Sequence, residues 1–168
     1  IIIESEQGMG TTVFVKIPFE IVENNTHVDN TTVTNCDYDI AGMHILVVED
    51  HDINMFIMEN YLQNVGVTMK GVYNGKEAVE AVSKAADGEF DAVLMDIQMP
   101  VMNGYEATRQ IRGINREYAK QLPIYALSAN AFDEDRKKAL ESGMDGFLSK
   151  PIVVEELVQA LKNKFTGR

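Results

Sequence analysis

Five side chains of kinds that do chemistry stand at the ends of apolar runs. Glu49 and Asp50 close "ILVVED", Asp96 closes "AVLMD", Ser128 closes "IYALS", and Lys150 follows "GFLS". An acid at the end of a core strand needs a reason, because desolvation penalises charge. Glu49, Asp50 and Asp96 brought together repel, and at least one would protonate unless a cation neutralised them. Oxygen-rich sites with open positions suit Mg²⁺, which keeps waters and shares itself with a substrate phosphate; Mn²⁺ is the alternative ion. With a lysine and a hydroxyl beside them, the set points to aspartyl-phosphate chemistry. Asp96 attacks phosphorus, while metal and Lys150 neutralise charge on the transferring oxygens.

The elements that must gather these residues are legible from His44 onward. Strand-like runs "HILVVE", "VTMKGV", "FDAVLMD", "LPIYALS" and "DGFLS" alternate with stretches that predict helices over 52–65, 75–86, 103–112, 132–142 and 152–164. Unbroken apolar strands separated by helices imply an α/β fold, a doubly wound five-stranded parallel sheet with helices on both faces. In such sheets the binding crevice lies beyond the carboxyl ends of the strands. The five chemical residues all fall at that edge.

At 168 residues, 45% apolar and 24% charged, the composition is that of a globular protein with room for one full domain and a little more. No run approaches the length of a bilayer span, and there is no signal peptide. The opening "IIIESEQG", without Met, predicts a piece of a longer protein. A single cysteine, Cys36, excludes an internal disulfide and a cysteine zinc site, and fits a reducing cytosol. The formal charge of -11 argues against direct nucleic acid binding, which needs clustered Lys and Arg. Residues 1–20 read as a β-hairpin, "IIIES" and "TTVFVKIPF" about the turn "EQGMG". Residues 21–43 read as a mobile linker, acidic, rich in Thr and Asn and without Lys or Arg.

The motifs "VVED" (47–50), "LMDIQMPVMNGYE" (94–106), "ALSANAF" (126–132) and "FLSKP" (147–151) occur in order, each at a strand end. Together they resemble the receiver domain of two-component signalling, and the resemblance covers residues 44–168. It implies a flavodoxin-like strand order, 2-1-3-4-5. It further implies that Asp96 is the phosphoacceptor and that Asp50 and Asp96 hold Mg²⁺, with the Gln98 carbonyl as a further ligand and Glu49 acting through water. Ser128 matches the hydroxyl that meets the phosphoryl group, and Lys150 the ion-pairing lysine, with a cis Lys150–Pro151 bond. Two residues depart from the commoner pattern. Glu49 stands where Asp is usual and lengthens the arm, and the switch aromatic is Phe147 rather than Tyr. Gln98 and Asn130 match positions that tune phosphoryl lifetime.

"IIIESEQGMGTTVFVKIPF" resembles the closing hairpin of a histidine-kinase ATP-binding domain, with Gly10–Thr11 as its Gly-Thr element. Kinase end, linker and receiver in that order imply a hybrid sensor histidine kinase as parent. The chain would be a cytoplasmic part of a membrane-anchored protein. The nucleotide-holding segments of that domain are missing from the sequence, so kinase activity is not expected of it. The implied partners are the parent's phosphohistidine helix and a histidine phosphotransfer protein. An unpaired hairpin could also exchange strands with a second copy.

The first helix predicts its core stripe at Ile53, Ile57, Tyr61 and Val65, with Met58 and Leu62 alongside. That leaves Met55 and Phe56 outside, as a docking patch for the phosphodonor. Two rival classes carry different expectations. A haloacid-dehalogenase-type phosphatase needs a second acid two residues after its nucleophile, where this chain has Gln98. A phosphorylation-independent interaction module would be expected to lose key residues, and all five are present.

Overall fold

From His44 onward, successive strand residues go to opposite faces of one sheet, and both faces are covered. The structure, a computed structural model, describes residues 1–17, 40–128 and 133–165. The chain divides into two units, Ile1–Asn35 and Cys36–Arg168. The first contains an antiparallel hairpin, β1 (Ile2–Glu6) and β2 (Gly10–Phe14), in the register Ile2↔Phe14 to Glu6↔Gly10. Every residue of this hairpin is exposed. Most of the acidic linker expected over 21–43, with Cys36, lies outside the described residues. Its last residues belong to the second unit's core: Ile40 is fully buried, and Met43 accepts the Thr68 backbone amide at 2.9 Å.

The second unit runs β3 (His44–Val48), α1 (Asp52–Asn64), β4 (Thr68–Val72), α2 (Gly75–Lys84), β5 (Ala92–Asp96), α3 (Gly104–Gly113), α4 (Glu117–Gln121), β6 (Ile124–Ser128), α5 (Asp133–Glu141), β7 (Gly146–Ser149) and α6 (Val154–Phe165). Its parallel strands lie in the order β4-β3-β5-β6-β7. Counted within this unit, that is the expected order 2-1-3-4-5. Leu46, Val48, Val93, Met95, Ile124 and Ala126 pack with α2, α3, α4 and α5. The alternate residues Ile45, Val47, Ala92, Leu94, Tyr125 and Leu127 pack with α1 and α6. Burial on both faces is why these strands read as continuous apolar runs. The short helix α4 was not foreseen in the sequence. It carries one buried side chain, Ala119, and its neighbour Tyr118 bonds the backbone of Phe90 through its hydroxyl.

The face of α1 differs from expectation. Its buried residues are Met55, Met58 and Leu62, whereas Ile53 and Ile57 are 68% and 43% exposed. Met55 is therefore core and not a docking residue; its sulfur lies 2.8 Å from where a Cβ on Gly71 would stand. Apolar residues surround this helix, so periodicity could not choose the inward side. Phe56 keeps its predicted exposure, at 65%.

The helices α2 and α3 begin on side-chain caps. Asn74 accepts from the Glu77 amide at 3.0 Å and Asn103 from the Glu106 amide at 2.9 Å. At the start of α3, Gly104 donates its amide to Ile97 at 3.0 Å. A Cβ on Gly104 would stand 2.3 Å from the Asp96 carbonyl oxygen and 3.0 Å from Met95 Cγ. Only glycine allows α3 to begin this close to the end of β5. Gly104→Ala is expected to cost about 1–3 kcal/mol through overpacking. A lowered urea midpoint would register it, and an unchanged midpoint would mean that α3 shifts without penalty.

Candidate functional site

The carboxyl ends of β3, β5 and β6 lie side by side, because β3 pairs with β5 and β5 with β6. This alone places Glu49, Asp96 and Ser128 at one edge. Glu49 and Asp96 are buried, at 3% and 7% exposure, while Asp50 is exposed. The carboxylates of Glu49, Asp50 and Asp96 present oxygens that all lie within 4.8 Å of one another.

Lys150 arrives from beyond β7, its backbone amide on the Ser128 carbonyl at 2.8 Å and its bond to Pro151 cis. Its ammonium donates to Glu49 Oε2 at 2.5 Å and to Asp96 Oδ2 at 2.6 Å. The remaining oxygens of both acids are held as well. Asp96 Oδ1 accepts the Gln98 backbone amide at 3.1 Å, and Glu49 Oε1 accepts Asn54 Nδ2 at 2.8 Å. Sequence reasoning missed Asn54. Its available signal was a lone amide in the otherwise apolar run "INMFIM" following the acidic pair.

Burial raises the Asp96 carboxyl above the ordinary aspartate range, and Glu49 adds to that; Lys150 and the Gln98 amide pull it back. Burial alone would lower the Lys150 ammonium, but hydrogen bonds and charge from Asp96 and Glu49 overrule it and hold it raised. The lysine thus stays charged and acts as the cluster's internal counter-ion.

Ser128 is buried at the end of β6. Phe147 on β7 is half-buried against the core, with the Arg136 guanidinium 5.7 Å from its ring centroid. Asn130 lies outside the described residues. Beside the acids, Glu49, Asn54, Ile57, Tyr61, Lys150 and Ile152 line a cavity of about 160 Å³.

A family model described as the response regulator receiver domain matches residues 45–162. The chain belongs to the receiver domain family. It is 37% identical over 119 residues to the hybrid signal transduction histidine kinase L of Dictyostelium discoideum, covering 70% of this chain and 7% of that one. The curated relatives are much longer: this chain spans 7% of that kinase and 13% of the sensor protein GacS of Pseudomonas syringae pv. syringae, to which it is 40% identical. Among solved structures, it matches the receiver domain of sensor histidine kinase PA1611 of Pseudomonas aeruginosa, described with a magnesium ion coordinated in the active-site cleft. The identity is 38% and the TM-score 0.67, over 75% of this chain and 99% of that one.

In this receiver domain, the oxygen-only donor set of Glu49, Asp50 and Asp96 suits a hard divalent cation. The raised Asp96 carboxyl also gives the sign of this group's share in the pH dependence of metal-free stability. Deprotonating Asp96 in the fold is disfavoured, so stability falls as pH rises from the ordinary aspartate value to the raised one. Asp96→Asn, which cannot ionise, is expected to have the higher urea midpoint at pH 7 in chelator. The difference should vanish below the ordinary aspartate range. A midpoint lower than the parent's at pH 7 would contradict this.

Proposed function

We propose that this receiver takes a phosphoryl group from a phosphohistidine onto Asp96 and passes it on in a phosphorelay. The observation that carries the reading is the Lys150 ammonium bridging Glu49 and Asp96, within an acidic cluster that suits Mg²⁺. Asp50, Asp96 and the Gln98 carbonyl are the proposed metal ligands, with Glu49 acting through water. Bound there, Mg²⁺ would neutralise charge on the transferring oxygens.

An Asp96 oxygen attacks phosphorus, the P–N bond breaks, and its electron pair leaves on the donor imidazole. Lys150 then moves from carboxylate to phosphoryl oxygens, and the Ser128 hydroxyl bonds another. Phe147 is the proposed switch aromatic. The acyl phosphate is consumed by a second histidine, with slow hydrolysis by water as the side path. Intact mass after incubation with Mg²⁺ and a small phosphodonor tests this. One added phosphoryl group is expected, lost in Asp96→Asn and in chelator. No addition with Mg²⁺ bound would count against unaided chemistry at Asp96.

A histidine phosphotransfer protein is the proposed recipient. Docking of such a protein, in either direction of transfer, is supported by a similar receiver, that of Ssk1 of Saccharomyces cerevisiae, crystallised with the phosphotransfer protein Ypd1, whose downstream response regulator it is. This chain is 33% identical to it with a TM-score of 0.63, over 71% of this chain and 86% of that one. The docking surface for the phosphodonor, the parent's phosphohistidine helix or a phosphotransfer protein, is proposed as Ile53, Phe56 and Ile57, exposed on α1 beside the acids. Replacing all three with Ser should slow transfer from a protein donor at least tenfold and leave small-donor phosphorylation unchanged. Equal slowing of both would refute the surface.

The parent is proposed to be a membrane-anchored hybrid sensor histidine kinase, with residues 1–20 as the last hairpin of its ATP-binding domain. Its cytoplasmic placement rests on the same reading. Among the described residues, no helix is long and apolar enough to cross a membrane.

A further inference from the structure

We infer that Asn54 is a positioning residue that sets the Mg²⁺ affinity of the site by fixing the Glu49 carboxylate. The inference rests on the acidic cluster binding Mg²⁺, as proposed above. Glu49 has one more rotatable bond than the aspartate common at its position, and its carboxylate is almost wholly buried. Lys150 holds one of its oxygens, Oε2. A single contact would let the carboxylate pivot about that oxygen and change how it is presented to Asp50 and Asp96. The Asn54 amide prevents this by donating to Oε1 at 2.8 Å. With both oxygens held, the plane of the carboxylate is fixed, and Glu49 keeps its place within 4.8 Å of the other acids.

Asn54 reaches the Glu49 carboxylate from outside the core. It lies in the first turn of α1, is itself exposed, and lines the cavity beside Lys150. Replacing it with alanine removes no core packing and puts a better helix former in its place. A merely structural asparagine would therefore show no change in metal binding, and the fold provides the control.

The experiment follows backbone amide NMR shifts around Asp96 as Mg²⁺ is added to the full chain, to Asn54→Ala, to Glu49→Ala and to the double variant. Thermal midpoints are read in parallel without metal. The expected result is about tenfold weaker Mg²⁺ binding in Asn54→Ala, the scale seen when the hydrogen-bond partner of a metal-facing group is removed. Its thermal midpoint without metal should fall by a few degrees at most, because one Glu49 oxygen loses its donor while the core packing is kept. In the Glu49→Ala background, Asn54→Ala should weaken binding no further, because the residue acts through Glu49. Saturable binding that is unchanged by Asn54→Ala overturns this inference and leaves the metal reading standing. So does an equal loss in the Glu49→Ala background. No saturable shift in the unmodified chain overturns the metal reading and this inference with it.

Discussion

The Lys150 ammonium between Glu49 and Asp96 is the contact on which the rest of the site depends. Two carboxylates buried this deeply would repel and partly protonate if left alone. A buried ion pair repays desolvation only when its remaining lone pairs are also satisfied. Here each oxygen of both acids has a donor: Asn54, the Gln98 amide, and Lys150 for two of them. Among the described residues, no buried side-chain polar atom lacks a partner. The site is thus tolerated by the fold before any phosphoryl group arrives.

That arrangement constrains the architecture around it. Lys150 comes from the far end of the sequence, and its amine reaches the acids because β6 and β7 run parallel with Ser128 beside Ser149. The loop after Asp96 must turn back at once so that α3 can cover the sheet. Gly104 permits the close approach, and Val101 takes a left-handed conformation at φ 69° with its side chain exposed. A β-branched residue there is strained by roughly 1–3 kcal/mol, and such strain persists where the surroundings over-determine the backbone. The loop that carries Gln98 therefore has little freedom to relax.

Much of this was legible in the sequence, for physical reasons. The central strands β3, β5 and β6, covered on both faces, leave continuous apolar runs, so their ends and parallel pairing could be read directly. Polar residues cannot hide in such runs, so Glu49, Asp96 and Ser128 stood out at their ends. The orientation of α1 was not legible. Its apolar residues run around the helix, and only contact with Gly71 and the sheet decides that Met55 turns in and Ile53 turns out. The helix α4 escaped because its stability comes from packing and from bonds such as Tyr118 to Phe90, not from its own short pattern.

The sequence by itself determined the fold class, the strand edge that carries the chemistry and the residue types gathered there, because burial and periodicity are local properties of a chain. Tertiary structure alone decided which oxygen meets which donor, which side of α1 faces solvent, and that Asn54 joins the site. Those depend on how the elements pack in space, as when Lys150 meets Glu49 from 101 residues away, and periodicity along the chain does not encode them.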